Sequence, residues 1–249
     1  MAVAHKPNTS PHSTARCVES IQSSRMGVCY EALVDIETDQ TIGYEALARF
    51  YDADARLIDN GVMFSVLHEN PALFYAAELS LKEYQIVAAP LTDWLFVNLD
   101  PHAYFVYDME EGSHPMHELF RRRDGNLVVE LTENRSLSDA QLRLRLANTL
   151  IAEGHAVAID DIGHPRSLLS IDLLNRVQYF KFDQGYLRQL DQQRPRELTM
   201  ALLNYARSQK IPTVIEGIES YEQLSQARSL GFNIAQGYYF GNRAINVTA

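Results

Sequence analysis

Cysteine is nearly absent: Cys17 and Cys29 are the two in 249 residues. So few thiols exclude a disulfide framework and fit a reducing, cytoplasmic setting, with Cys29 read as an inert buried thiol in a strand. No stretch reaches the roughly 18 consecutive apolar residues that a membrane-spanning helix requires, so no membrane segment is expected. Positive charge is also scarce. Lys and Arg number 22 against 32 Asp and Glu, a formal net charge of −10, which argues against a broad duplex-binding face and hence against DNA as a partner. It leaves room for a small anionic ligand, because bound divalent cations invert the sign of a carboxylate-lined pocket. A Gly-rich loop of the Walker type is missing, which argues against nucleoside triphosphate use. Residues 1–27 are rich in Ser, Thr, His and Pro and lack an apolar segment, so they read as a flexible leader rather than a secretory signal, with residues 28–249 as the folded domain.

What the chain does have is a 46% share of hydrophobic residues and a length that fits one large domain; the α/β barrel is the commonest single-domain answer near that size. The organising stretch is His155-Ala-Val-Ala-Ile-Asp160-Asp161-Ile-Gly163. An apolar, β-branched run ending in two adjacent carboxylates reads as a buried strand delivering charge at its C-terminal tip. Neighbouring aspartates repel each other, so a cation belongs there, and oxygen ligands point to Mg²⁺ or Mn²⁺. Successive strand residues face opposite ways, so both side chains reach a metal only if the strand ends between them. The plainer alternative for the pair is a helix N-cap.

Similar apolar runs recur along the chain. Residues 28–36 and 41–50 flank the polar turn Glu37-Thr-Asp-Gln40 and predict a hairpin. The pattern over 62–89 is helical and breaks at Asn70-Pro71, where proline starts a new helix. Strands are expected at 94–101 with Asn98, at 126–133 with Glu130 and Glu133, at 177–183 with Lys181 and Asp183 on one face, at 211–219 with Glu216, and at 233–240 with Gln236. Helices are expected from Ser136 or Ser138 to Gly154 with Leu142, Leu146 and Leu150 in a stripe, from 195 to 210 with Leu198, Leu202 and Tyr205 on one side, and from Ser220 to Gly231. The Arg121-Arg-Arg123 run reads as solvated surface. About eight strands, most separated by helix-length segments and carrying polar tips at one end, predict a TIM-like (β/α)8 barrel with its site at the C-terminal face of the strands. The opening hairpin makes the first strand irregular, with an antiparallel course open to it.

Gathered from the tips, Glu45, Asn98, Glu130, Asp160, Asp161, Lys181, Glu216 and Gln236 form an oxygen-rich cage suited to two divalent metals, with Lys181 and Gln236 free to hold a water or a substrate oxygen. Paired metals are the usual equipment for in-line phosphoester hydrolysis, and burying this much negative charge without metal is prohibitive. Taken singly, Lys181 and Asp183 could be a plain ion pair, Glu219 a helix-start carboxylate and Gln236 a turn residue.

The motifs Gly43-Tyr-Glu-Ala-Leu-Ala-Arg49, Val97-Asn-Leu99, Glu130-Leu-Thr-Glu133, Asp160-Asp-Ile-Gly163, Lys181-Phe-Asp183, Glu216-Gly-Ile-Glu219 and Gln236-Gly-Tyr-Tyr-Phe240 stand in this order. A lone Glu-Ala-Leu triplet is uninformative, and Glu31-Ala-Leu33 is a second one. The ordered set is specific, and over about residues 28–241 the sequence resembles the EAL domain family of cyclic di-GMP phosphodiesterases. The resemblance implies that Glu45, Asn98, Glu130 and Asp160 ligate a first metal and that Asp160 and Asp161 hold a second. Glu216 would act beside the nucleophilic water as ligand or general base, while Lys181 and Gln236 position water. Arg49 would contact a substrate phosphate, with Leu47, Asp183 and Glu219 also on the substrate side, and Glu133 would brace the loop after Asp161. The implied reaction, with Mg²⁺ or Mn²⁺, is hydrolysis of one phosphodiester of cyclic di-GMP to linear pGpG in bacterial second-messenger signalling.

Three departures stand out. Ile162-Gly-His-Pro-Arg-Ser-Leu168 replaces the family's Phe-Gly-Thr-Gly-Tyr-Ser-Ser, and Pro165 gives that loop a different shape and less freedom. Glu31 stands where the family has Gln, which weakens affinity for an anionic substrate if the side chain faces the pocket. Asn242-Arg243 takes the place of an expected proline. Two functions therefore stay in view: an active phosphodiesterase, and a barrel that binds cyclic di-GMP or a partner protein without turnover. Family members often dimerise through the face beside the altered loop, which keeps a homodimer in view. With no sensor segment expected before the barrel and no GG(D/E)EF-type motif, regulation is expected from partner proteins, self-association or ligand level.

Overall fold

The chain reverses after residue 36 because Asp35 organises the turn. Its Oδ1 accepts hydrogen bonds from the N–H of Glu37 (3.1 Å) and Thr38 (2.8 Å) and from the Thr38 hydroxyl (2.9 Å), and Asp39 takes the left-handed conformation with φ 56°. The flanking runs pair antiparallel as β1 (Met26–Asp35) and β2 (Thr41–Tyr51). The computed structural model describes residues 11–91, 94–107, 114–123, 126–131, 137–164, 169–189 and 192–248. Helix α1 (Pro11–Gln22) precedes the hairpin. After it come β3 (Leu57–Ile58), α2 (Asn60–His68), α3 (Pro71–Val87), β4 (Trp94–Leu99), α4 (Pro101–Tyr104), α5 (Pro115–Arg121), β5 (Leu127–Leu131), α6 (Leu137–Ala152) and β6 (Ala156–Ile162). The chain continues through α7 (Ile171–Leu174), β7 (Tyr179–Phe182), α8 (Gly185–Gln189), α9 (Gln193–Gln209), β8 (Thr213–Ile215), α10 (Tyr221–Leu230), β9 (Ile234–Ala235), a 3₁₀ segment (Tyr238–Arg243) and β10 (Ile245–Thr248).

β2, β4, β5, β6, β7, β8 and β9 are parallel neighbours in that order, and β1 closes the ring by pairing antiparallel with both β2 and β9. The result is a closed eight-stranded (β/α)8 barrel with an antiparallel first strand, as the opening hairpin suggested. β3 extends β2, and β10 lies along the start of β1. Helix boundaries follow their local chemistry. Asn70 accepts from Leu73 N–H ahead of Pro71 at the start of α3, Ser220 accepts from Gln223 N–H to open α10, and Gly231 ends α10 in the left-handed conformation.

Two expectations are corrected here. Residues 11–22 of the expected flexible leader form α1 instead, and residues 1–10 of it lie outside the described residues. Cys17 is buried in a core cluster with Phe50 and Val66, Val18 and Ile21 pack against that cluster, and Arg16 pairs with the carboxylate of Asp52; a short apolar stripe at helical spacing outweighs the polar composition around it. On α9 the fully buried residues are Thr199, Leu203 and Ala206; of the expected line Leu202 and Tyr205 pack partly buried against the core, while Leu198 is 54% exposed. Thr199 can be buried because its hydroxyl donates to Pro195 O at 2.8 Å.

Candidate active site

The barrel interior is set by strand alternation. Leu33, Phe96, Val128, Ala158, Tyr179, Val214 and Ile234 form one apolar layer towards the N-terminal ends of the parallel strands. Two residues further on each parallel strand stand Asn98, Glu130, Asp160, Lys181, Glu216 and Gln236. β1 runs the other way, so its contribution to the same upper level is Glu31, directly opposite Glu45 of β2 in register. The structure therefore brings the expected cage residues together and adds Glu31.

Lys181, fully buried, is the hub. Its Nζ lies 2.6 Å from Glu216, 2.7 Å from Glu130, 3.1 Å from Glu45 and 3.6 Å from Asp160. Glu45 also accepts from Asn98 Nδ2 (2.7 Å) and Gln236 Nε2 (2.6 Å), and Gln236 Nε2 lies 3.3 Å from Glu31. Lys181 and Gln236, expected to be free for water, are thus engaged by carboxylates in this structure. Burial works against the Lys181 charge, but the surrounding carboxylates outweigh it and push the amine well above the ordinary lysine range. Burial and mutual repulsion push Glu130 and Glu216 well above the usual carboxylate range, and burial raises Asp160 despite Lys181. Glu45 moves down: burial opposes its ionisation, yet Lys181 and the Gln236 hydrogen bond prevail. One lysine does not balance four carboxylates.

The paired aspartates are delivered by an irregularity rather than by a strand end. β6 continues to Ile162, its register with β7 shifts between Ile159 and Ile162, and Asp161 adopts φ 57° within that shift. This bulge re-aims a side chain that regular alternation would turn away, so that oxygens of Asp160, Asp161 and Glu216 come within 4.8 Å of one another. Gly163 follows at φ 92°, with the Tyr186 ring where a Cβ would stand. Arg143 is the residue that sequence reasoning missed. Fully buried on α6, it donates to Leu131 O (2.7 Å) and reaches Asp160 O (3.5 Å), tying the ends of β5 and β6 together. Its signal was its position one turn from Leu146 and Ala147, on the buried stripe of its helix.

Arg49 lies at the end of β2, its Nη2 4.0 Å from Glu31 and its Nη1 donating to Ala48 O. Leu47 shares the alternating face with Glu45 and Arg49. Asp183 accepts from Gly185 N–H at 2.7 Å and caps the turn into α8 instead of pairing with Lys181. Glu219 is exposed at the start of α10, where its N–H donates to Gln223 Oε1 at 2.6 Å, which is the helix-start alternative. Glu133 and loop residues 165–168 lie outside the described residues.

The donor set fits divalent cations. Both Glu130 oxygens are buried without an accepted hydrogen bond among the described residues, Lys181 Nζ standing near Oε1 but outside hydrogen-bonding angles, and the Asp160, Asp161 and Glu216 group presents oxygen donors alone.

A family model, described as the EAL domain, matches residues 15–243. The chain belongs to the EAL domain family. Among curated relatives, this EAL domain is 35% identical over 123 residues to a probable cyclic di-GMP phosphodiesterase, PdeG, of Escherichia coli, covering 49% of this chain and 24% of that protein. It is 24% identical over 239 residues to a second such probable enzyme of E. coli, PdeB, covering 93% of this chain and 45% of that protein. The chain thus spans less than half the length of these relatives. Among solved structures, the PaMucR phosphodiesterase in complex with c-di-GMP superposes with a TM-score of 0.76 at 22% identity, covering 96% of this chain and 98% of that one. That likeness establishes the fold. Among the described residues, no helix is long and apolar enough to cross a membrane.

Proposed function

We propose that this EAL domain is a metal-dependent phosphodiesterase that hydrolyses one phosphodiester of cyclic di-GMP to linear pGpG. The observation that carries the reading is the unbalanced carboxylate cluster around Lys181, with Asp160, Asp161 and Glu216 grouped at its open side. Glu45, Asn98, Glu130 and Asp160 would hold one divalent ion, Mg²⁺ or Mn²⁺, and Asp160 with Asp161 a second. Bound there, the ions supply charge neutralisation and a water acidic enough to attack phosphorus near neutral pH. The chain's own residues do the rest. Glu216 accepts the proton of the attacking water as general base. Lys181 and Gln236, held by carboxylates in this structure, would orient that water once those carboxylates take up the ions; Arg49 would hold a non-bridging phosphate oxygen and Leu47 pack beside the nucleotide, with Asp183 and Glu219 towards the substrate mouth. Glu133 would brace the loop after Asp161. As the water oxygen bonds to phosphorus the bond to the 3′ oxygen breaks, and the proton leaves on the 3′ hydroxyl of the linear product. The names of the E. coli relatives and the complex formed by the structural neighbour support this substrate.

A second reading, a barrel that binds cyclic di-GMP without turning it over, is favoured by one observation: Glu31 puts an extra carboxylate opposite Glu45 at the mouth. Chromatography of product with Mg²⁺ and with Mn²⁺, beside Glu216→Ala, separates them. We expect pGpG from the unaltered protein and a loss of at least about a hundredfold in the variant. Binding without product would give the second reading.

A further inference from the structure

We propose that the N-terminal mouth of the barrel, opposite the carboxylate site, is a second ligand site, for a small planar aromatic compound carrying an acidic group. A cavity of about 400 Å³ opens there, within the range of small-molecule sites. Its floor is part of the apolar inner layer. Phe96 and Tyr179 meet edge to face with ring centroids 5.1 Å apart, and Trp94 stands 5.8 Å from Tyr179. Aromatic walls of this kind favour a flat guest that can stack or sit edge-on.

The rim decides the charge of that guest. Arg207 and Lys210, from the last turn of α9 and its cap, are both exposed at the cavity, in a protein whose net charge is −10. Among the described residues neither pairs with a carboxylate, and Arg207 Nη1 donates to the neutral Asn204 Oδ1 at 3.0 Å. The carboxylate in the lining, Asp35, has its Oδ1 committed to the three hydrogen bonds of the β1–β2 turn. The plainer use of two cations here would be to balance the C-terminal carbonyls of α9 and α10. Those carbonyls are already met by the backbone N–H groups of Lys210, Ile211, Gly231 and Phe232. An aromatic floor under a positive rim matches an aromatic acid, with its ring inside and its anionic group between Arg207 and Lys210.

Trp94 is the chain's one tryptophan and lines the cavity, so its fluorescence reports occupancy directly. Titration with 1-naphthalenesulfonate should change Trp94 emission saturably, and should do so equally in excess cyclic di-GMP. The double reversal Arg207→Glu with Lys210→Glu should weaken binding at least tenfold, while Arg56→Glu, on the exposed turn before β3, leaves it unchanged. The uncharged 2-naphthylmethanol should bind at least tenfold more weakly and be indifferent to the reversal. Circular dichroism checks that the double variant folds; Arg207→Gln with Lys210→Gln serves if it does not. No saturable change, an affinity untouched by removing both charges, equal binding of the neutral compound, or displacement by cyclic di-GMP would each overturn the proposal.

Discussion

The two levels of the barrel interior are made by the same strands, two residues apart, and they are opposite in kind. The lower level of Leu33, Phe96, Val128, Ala158, Tyr179, Val214 and Ile234 is apolar throughout, with no member more than 8% exposed. The upper level gathers Glu45, Glu130, Asp160 and Glu216 around a single ammonium, and among the described residues neither Glu130 oxygen accepts a hydrogen bond. The lower level satisfies itself. The upper level keeps a surplus of carboxylate charge, and such local inconsistency is where function is expected.

Removing one residue from each level breaks that comparison if it is wrong. Lys181→Met leaves buried carboxylates with no internal cation and should destabilise the metal-free protein by about 4 kcal/mol in urea unfolding, with millimolar Mg²⁺ or Mn²⁺ restoring part of the loss. Phe96→Ala removes a ring 1% exposed and should lower stability by about 3 kcal/mol, with no restoration by either ion. An equal response of the two variants to metal would show that the levels do not differ as described.

The pH axis sharpens the same contrast. Three upper-level carboxylates have raised proton affinity in the fold, so the folded state holds more protons than the unfolded one, and their contribution to metal-free stability declines as pH rises above the ordinary carboxylate range. His114, outside the barrel wall, has the opposite sign. It is fully buried, donates from Nε2 to Tyr104 O (3.2 Å) and accepts Met116 N–H at Nδ1 (3.2 Å), a neutral ring with both nitrogens satisfied. Burial pushes it down from 6.5 to about 4. Its folded value lies below the unfolded one, so its stabilisation is present above pH 6.5 and is lost as pH falls towards 4, on the order of 2 kcal/mol. His114→Asn keeps an acceptor at the start of α5 and should remove its own share of the acid-side loss, leaving the share of His117 and His155, which burial also pushes down, and of Glu45. Urea midpoints at several pH values read both slopes.

Much of this was legible in the sequence, because strand tips and buried strands announce themselves by composition. The hairpin at Asp35, the break at Asn70-Pro71 and the polar tips from Glu45 to Gln236 all follow from local chemistry. What escaped depends on the partner. Whether polar residues before Met26 form a docked helix depends on a surface that takes Cys17 and on the Asp52 carboxylate for Arg16. Arg143 reads as a surface charge until the carbonyl of Leu131 is found 2.7 Å from it. The bulge at Asp161 lies in the pairing of β6 with β7, which composition does not record.

Glu31 yields the smallest expected effect and tests the edge of the upper level. The sequence left open whether its side chain faces the pocket; the register with Glu45 and the 3.3 Å approach to Gln236 show that it does. Like charges directly opposite on neighbouring strands repel, and Glu31 also lies 4.0 Å from Arg49, the cation proposed for substrate phosphate. Glu31→Gln removes a negative charge from the mouth and frees Arg49. We expect cyclic di-GMP to bind about fivefold more tightly, roughly 1 kcal/mol for a partly exposed charge. The gain should shrink as salt is raised to about 0.5 M, since exposed charges are screened over a few Å there. A tighter complex with unchanged kcat places Glu31 as a brake on binding alone. If the variant gains turnover as well, the carboxylate reaches further into the cluster than its distance from Arg49 suggests, because only an interaction that strengthens towards the transition state alters kcat.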